Sequence, residues 1–572
     1  MLDKLMIRWK SKYNAARVHS SMYWCIWRGF CIELDGVAAI MKTRIEVKIV
    51  LSADRSLLGG LRNACRRRRK ASHYAVMADK EKTVSTPPPT YQGQLRAGDT
   101  PLQDVAILDN TAGYSSPSSS SSDISPSEVE KGNVWDGYLD EDLPDKTQGR
   151  FIRNLRHQVF SLYRRLFGIV FVTNMAVFIA TLVRHETSAQ HLALIVVANL
   201  FCAILMRQDH VINAFFLVFC AVPRSWPLAI RRVCARVYSI GGIHSGCGVS
   251  GVVWLILLTV QETREVLNGG PTSVATLVMT YLILVLLLGI VSLAYPKLRI
   301  MYHDHFEATH RFLGWTAVAL VWCKVVLLTN DYRPESQTLG NALVKSAPFW
   351  MVLILTLSII GPWLHLRNRP VRAEVLSNHA VRLYFDYVTP VPGSFIRISD
   401  SPLMEWHGFA TIAEPGKKGY SCVVSRAGDW TSKQIANPPS KIWVRGIPIC
   451  GVMRIVPIFR RVVLVATGSG IGPIAPHIFA QPIPIRLLWT APNVRQTFGD
   501  KLVDAVLEKA PDALVYDTRI HGKPDMVKLT YRLVREFNAE AVCIISNPSL
   551  TRKVVYGMMS RGIPAFGAIW DS

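Results

Sequence analysis

RVVLVATGSGIGPIAPHIF, Arg461 to Phe479, joins a β-branched strand (VVLV) to a glycine-rich turn and then to the start of a helix. Gly468, Gly470 and Gly472 remove the Cβ atoms that would hold a ligand off the backbone, and the helix behind them presents unpaired N–H groups. Strand, turn and helix in that order make either a phosphate-binding turn or a tight βα turn with no ligand, and the stretch alone leaves both open. It departs from the Rossmann fingerprint, because Pro473 stands where G-x-G-x-x-G requires glycine and no acidic residue ends the next strand at LLWTA. The segments that follow alternate: IRLLWTA, GDKLVDAVLEKA, ALVYDTR, VKLTYRLVREF, AVCIISN and RKVVYGMMSRG. That alternation predicts a parallel α/β sheet over residues 461–572.

Upstream, from about residue 370 to 460, short strands broken by turns (AEVLSNHAVRLYFDY, SFIRISD, YSCVVSRAGDW) predict a small antiparallel β-barrel. Before it come apolar runs close to the roughly 20 residues that span a bilayer. Spans are expected near 166–183, 190–206, 239–260, 272–294, 310–328 and 348–366. The run 211–222 is too short and reads as interfacial or as an extension of the helix before it. Basic residues gather at 150–165, 224–236, 297–299 and 367–372, so the positive-inside rule puts both termini in the cytosol. The expectation is an integral, multi-pass protein of the plasma membrane or an endomembrane. It has a six-helix transmembrane bundle (150–369), a small antiparallel β-barrel (370–460) and a parallel α/β domain (461–572), the last two cytosolic.

Composition agrees. A chain of 572 residues, half of them hydrophobic, is too long for one domain and too apolar for an ordinary soluble enzyme. Residues 1–76 hold sixteen Lys/Arg against five Asp/Glu, a net of +11, whereas 77–149 hold five against thirteen, a net of −8. The run RRRRK (Arg66 to Lys70) lacks the aromatic interleaving of a nucleic-acid surface, and no nucleic-acid partner is expected. Residues 1–76 read as an extension, or as an over-extended gene model with Met77 as the natural start. Residues 77–149, with SSPSSSSSD and DGYLDEDLPD, read as disordered. The eleven cysteines show no C-x-x-C pair and no zinc-like spacing, so neither a disulfide framework nor a zinc site is expected.

The neighbours of the glycine turn narrow its meaning. EWHGFATI comes first, then AGDWTSKQ, then VRGIPICG, then the turn, and the chain closes on GAIWDS. In that order the sequence resembles the ferredoxin-reductase/ferric-reductase superfamily, most closely the fungal ferric-reductase-like transmembrane proteins of the TmpA type, linked to conidiation. The resemblance covers roughly 150–572. It implies that His407, Gly408, Phe409, Ala410 and Thr411 stand for the family's H-P-F-T flavin loop, with Gly in place of Pro and Ala inserted. It implies that Gly428 and Thr431 contact the FAD pyrophosphate, and that Gly468 to Pro473 form the nicotinamide-nucleotide turn. Trp570 matches the aromatic residue that stacks on the flavin. Ser546, with Asn547 and Pro548, stands where the family has Cys-Gly-Pro beside the hydride path. Arg495, Arg519 and Lys523 are candidates for the 2′-phosphate of NADPH, which is favoured over NADH, or else belong to solvated basic loops.

His244 and His310 are candidate axial ligands for one haem b at the cytosolic end, or else interfacial or helix-pairing polar residues in a span without haem. The resemblance calls for a second His on each helix, and Leu257–Leu258 and Cys323–Lys324 occupy those places. Two haems relay electrons across the bilayer and one does not, so electron delivery to the outer face is not expected. His303, His305 and His365 read as spare ligands or interfacial residues. Gly241, Gly242, Gly246, Gly248 and Gly251 give room to a macrocycle or to a neighbouring helix. Lys324 is expected to snorkel outward. The resulting expectation is a membrane-bound FAD-dependent oxidoreductase that takes hydride from NAD(P)H and serves an unidentified electron acceptor. The alternative is a regulatory, conidiation-linked membrane protein that keeps the fold with little turnover. A transporter has little support, because the spans show no paired repeats or midplane charges.

Overall fold

The computed structural model describes residues 141–568. The expected extension 1–76, most of the expected disordered segment 77–149 and Trp570 lie outside the described residues. The end of that segment is not disordered. Thr147 N–H donates to Ser560 O at 2.8 Å and Arg561 Nε to Pro144 O at 2.8 Å, so this stretch finds backbone partners on the C-terminal domain.

The helical part is built from α1 (Leu162–Val183), α2 (Ala189–Leu205), α3 (Asp209–Phe219), α4 (Leu228–Cys234), α5 (Gly241–Leu267), α6 (Val274–Leu293), α7 (His303–Tyr332) and α8 (Ala347–Leu364). Ser161, Ser188 and Ser273 cap α1, α2 and α6, each accepting from the N–H three residues on. Among the described residues, α1, α5, α6, α7 and α8 are long and apolar enough to cross a membrane. The pair α2 and α3, bent by 70°, makes a sixth if it is one span. Leu192, Trp254, Leu255, Leu258 and Ile283 form the buried seam. Ile169, Val172 and Val285 face outward, each more than 60 % exposed.

Two expectations are corrected in this bundle. α5 and α7 outrun their apolar stretches, which places Glu262 in a helix rather than a loop. Lys324 turns inward instead of snorkelling: its Nζ lies 2.5 Å from Glu262 Oε1 and 2.5 Å from Thr280 Oγ1. A buried carboxylate on the neighbouring helix has no water to turn to and holds the ammonium, so the bundle does carry an internal charge pair. α3 follows α2 across a 70° bend, the pair counting as one broken span or as a re-entrant turn. α3 wedges into the C-terminal module, where Asn213 Nδ2 donates to Pro448 O (3.0 Å) and Asn213 Oδ1 accepts from Cys450 N–H (2.8 Å).

Strands β1 (Arg367–Pro370), β2 (Arg372–Val375), β3 (Ala380–Phe385), β4 (Ser394–Ser399), β5 (His407–Ala410), β6 (Tyr420–Ser425) and β7 (Lys441–Cys450) form two antiparallel sheets, with helix α9 (Asp429–Ala436) between β6 and β7. Their orders are β1-β7-β4-β5 and β2-β3-β6, and both cover one core that includes Leu383, Ile396, Ile398, Cys422 and Trp430. An Ile412–Ser421 bridge joins them at one corner.

The last part alternates β8 (Val462–Thr467), α10 (Ile471–Ala480), β9 (Ile485–Ala491), α11 (Asp500–Lys509), β10 (Leu514–Asp517), α12 (Met526–Phe537), β11 (Ala541–Ile545), α13 (Pro548–Met559) and β12 (Ala565–Gly567). All five strands are parallel, in the order β10-β9-β8-β11-β12. Alternation explains the unbroken apolar run VVLVA. Val462, Leu464 and Ala466 pack with α10 and α11, while Val463 and Val465 pack with α12 and α13, so both faces are dry. Among the eight cysteines of the described residues none is paired.

Candidate functional site

From β8 the chain runs to one side through β9 and β10, then returns to the other through β11 and β12. Such a reversal opens a crevice beyond the carboxyl ends of the two central strands, here β8 and β11. The glycine turn leaves β8 at that point, and Ser546 follows β11. Thr467 Oγ1, at the end of β8, lies 2.6 Å from Ser546 Oγ, and Ser546 is 5 % exposed. Asn547 caps α13, accepting from Leu550 N–H at 3.0 Å.

The three glycines serve different ends. Gly468 has φ +52, and the place its Cβ would take has no neighbour within 4 Å. The fully buried Trp489 indole donates to Gly468 O at 3.1 Å and fixes the turn. Gly472, in the first turn of α10, also faces open space. Gly470 is structural: a Cβ there would stand 2.2 Å from Ile545 O, so glycine lets α10 lie against β11. Pro473 falls in the first turn of α10, where a missing N–H removes no helical bond.

The barrel meets this turn through β5, which packs against α10. β5 pairs with β4 in the register Arg397–Gly408 and Ile396–Phe409, placing His407 and Phe409 on one face. The Trp430 ring lies on that face, 4.1 Å from His407 at 26° and 5.9 Å from Phe409 at 25°. His407 Nε2 lies 3.2 Å from Glu405 Oε2, and 30 % of the His407 side chain stays exposed. Thr411, expected in the flavin loop, is buried and bonds inward to Ser394 O at 3.1 Å. Gly428 precedes α9 with open space beside it, but Thr431 Oγ1 already accepts from Ala427 and Gly428 N–H at 2.8 and 3.0 Å. Those two donors are thereby spent locally.

The cations expected to read a 2′-phosphate sit in the turns after β9 and β10. Arg495 pairs with Asp504 (2.8 Å) and Asp500 (3.0 Å), which hold its guanidinium above its usual range. Arg519 and Lys523 are exposed. Asp517 ties the two turns together, accepting from Asn493 N–H at 3.0 Å and Arg519 N–H at 2.8 Å. Sequence reasoning missed Thr467, Trp489 and Asp517. Thr467 had a signal, being the residue just before the first glycine; the other two had none without the strand order.

In the bundle, His244 and His310 do come together, with ring centroids 6.1 Å apart. His244 Nδ1 lies 2.8 Å from Ala203 O, which leaves Nε2 with its lone pair, and His310 Nδ1 is buried without a partner. Gly242 and Gly246 serve helix contact instead of a macrocycle. Their Cβ positions would meet Tyr163 O at 2.2 Å and Val170 Cβ at 2.9 Å, both on α1. His303, His305 and His365 are exposed. No cluster of three or more metal-ligating side chains occurs among the described residues.

Residues 452–572 match the family described as "Adenylate-forming reductase 03009, C-terminal domain". Among curated proteins, adenylate-forming reductase 03009 of Coprinopsis cinerea is 66 % identical over 453 residues, covering 79 % of this chain and 44 % of that protein. Adenylate-forming reductase 06235 of the same fungus is 65 % identical over 440 residues, covering 77 % and 43 %. Among solved structures, a Neisseria gonorrhoeae ferredoxin–NADP+ reductase with bound FAD and NADP aligns with a TM-score of 0.29 and 13 % identity, over 35 % of this chain and 97 % of that one. The Amycolatopsis cytochrome P450 reductase GcoB aligns with a TM-score of 0.30 and 12 % identity, over 36 % and 71 %. The chain is similar to two adenylate-forming reductases of Coprinopsis cinerea, and it spans less than half of their length.

Proposed function

We propose that the chain is a membrane-anchored NAD(P)H-dependent flavin oxidoreductase. The observation that carries this reading is the meeting of β5 with α10: the strand assigned to flavin lies against the helix that the open glycine turn begins. The residues of the crevice suit a nicotinamide nucleotide. Gly468 and Gly472 admit the phosphates, the start of α10 offers its dipole, and the Thr467–Ser546 hydroxyl pair stands where a nicotinamide amide would be oriented. Arg519 and Lys523 are the cations free to meet a 2′-phosphate, whereas Arg495 is engaged by its aspartates. A flavin ring would lie on the open side of His407, since Trp430 holds the other. Bound there, FAD supplies the exchange between a two-electron donor and a one-electron acceptor.

If a haem b is bound, His244 and His310, whose ring centroids lie 6.1 Å apart, are the residues that would hold it. The Ala203 carbonyl holds the His244 tautomer that leaves Nε2 free to ligate. The outward apolar faces of α1 and α6 support burial in lipid, and the basic clusters at 150–165, 224–236, 297–299 and 367–372 support a cytosolic place for the C-terminal module. The chain purified in detergent is expected to carry flavin absorption that bleaches with NADPH under anaerobic conditions. A Soret band, lost in either His244→Ala or His310→Ala, is expected beside it. Failure to bind or retain any flavin would defeat the enzyme reading. The cover of Trp430 on His407, together with the spent donors at Gly428, favours a second reading in that case: a regulatory membrane protein that keeps the fold without turnover.

A further inference from the structure

At the end of the bundle away from the reductase module lies a cavity of about 380 Å³ between α2, α5, α6 and α7. Its orientation follows from α7. Arg311, near the start of that helix, donates to Leu403 O at 3.0 Å in the module, and the cavity opens around Arg333, just past its other end. Leu255, Leu258, Val321 and Leu328 line its walls, and all are buried. Lys324 is also on the wall, but Glu262 and Thr280 take its ammonium, so the deep end is neutral. The mouth is cationic: Arg333 and the exposed Lys345 flank it, with Gln337 and Ser346. Arg333 spends Nε on Asn330 Oδ1 (2.9 Å) and Nη1 on Gln337 O (2.9 Å), leaving Nη2 for a ligand.

An apolar shaft with a neutral floor and a cationic rim selects a molecule with an apolar body and one anionic end. We propose that this cavity binds a single-chain amphipathic carboxylate, its headgroup between Arg333 and Lys345 and its chain running past Leu328 to Leu255 and Val321. The volume is at the small end of ligand pockets and takes one chain, not the paired chains of a phospholipid. The site is remote from the crevice between β8 and β11, so the ligand is bound and not turned over. A bound carboxylate there makes the bundle a receptor for an acyl acid, independently of whether flavin is held.

The probe is dodecanoate carrying a terminal diazirine, photolysed with the full chain in lipid nanodiscs and mapped by mass spectrometry. Adducts are expected on Leu255, Leu258 or Val321, and excess dodecanoate is expected to lower them about tenfold more than equal dodecan-1-ol, the worth of one charge-assisted contact. Leu258→Trp, which fills the shaft, should remove the adducts. Because that variant risks misfolding, Arg333→Gln with Lys345→Gln at the exposed rim is the second arm, and it should make dodecanoate compete no better than dodecanol. Equal competition by the alcohol in the unaltered protein overturns the proposal. So do adducts spread over the outward residues Ile169, Val172 and Val285 at similar yield. Displacement by phosphatidylglycerol as effective as by dodecanoate also overturns it, because the occupant is then bilayer lipid. None of these readouts uses flavin or NADPH.

Discussion

Gly468 and Gly470 stand two residues apart and yet ask for glycine on different grounds. At Gly468 the demand is a left-handed φ and an open face, so Gly468→Ala is expected to cost about 1 kcal/mol of stability while weakening nicotinamide nucleotide binding. At Gly470 the demand is contact with Ile545 O, so Gly470→Ala is expected to cost more than about 2 kcal/mol, because backbone must move. Thermal unfolding and nucleotide titration of the two variants separate these effects. His477 on α10 is fully buried, and burial pushes its imidazole down to about 4, helped by the nearby Arg454 cation. The unfolded chain takes up this proton near the ordinary value and the folded chain does not. The stabilisation is therefore complete above about pH 6.5 and is lost as pH falls towards 4, on the order of 3 kcal/mol in all. His477→Leu should flatten the unfolding midpoint across that window; an unchanged slope would refute the assignment. The glycines were legible in the sequence by type and spacing. Their division of labour was not, because Ile545 is some 75 residues further on in the chain, and only pairing of β8 with β11 brings it near.

At the scale of elements, the internal pair of α5 and α7 decides how the bundle closes. Lys324→Met leaves Glu262 buried without its cation and is expected to cost about 3–5 kcal/mol. Adding Glu262→Leu should recover most of that loss, since two apolar side chains replace two charges. Thermal stability of the single and double variants in detergent measures the coupling, and additive losses would contradict it. The sequence placed Lys324 near the end of an apolar run, which is why an outward path to water was expected. Glu262 lies just beyond the neighbouring apolar run, 239–260, where the run alone predicts no helix. Apolar length marks where lipid-compatible residues stop, not where the helix stops, so both helices ran past it. α3 escaped for a related reason. Eleven residues of apolar helix look interfacial in isolation, and the polar atoms of Asn213 acquire meaning only against Pro448 and Cys450.

Across the whole molecule, the helical part and the C-terminal module share one core. Phe216, Ala235 and Val237 from the helices pack with Ile455, Phe459 and Val462 of the module. The joint is pinned by Arg231, whose guanidinium meets Glu540 at 2.6 and 2.9 Å and Ile458 O at 3.2 Å. The Arg231 hydrogen bonds hold the Glu540 carboxyl below its usual range, so its contribution is present at neutral pH and is lost as pH falls through that lowered value. Glu540→Gln is expected to lower the unfolding midpoint at pH 7 by an amount equivalent to about 3 kcal/mol, since Arg231 stays buried without its anion. Limited proteolysis should then release the module from the helices, and an uncleaved variant would count against the joint.

The sequence by itself determined the order of parts: apolar helices, short antiparallel strands, then alternating strands and helices around a glycine turn. These are local properties, written in periodicity, apolar length and turn chemistry. The tertiary structure decided what met what. It set the strand order that puts Ser546 beside Thr467, the stacking of Trp430 on His407, the meeting of His244 with His310 and the inward turn of Lys324. Each of these joins residues from separate elements, so its energy arises from burial and pairing across the fold, which no window along the chain contains.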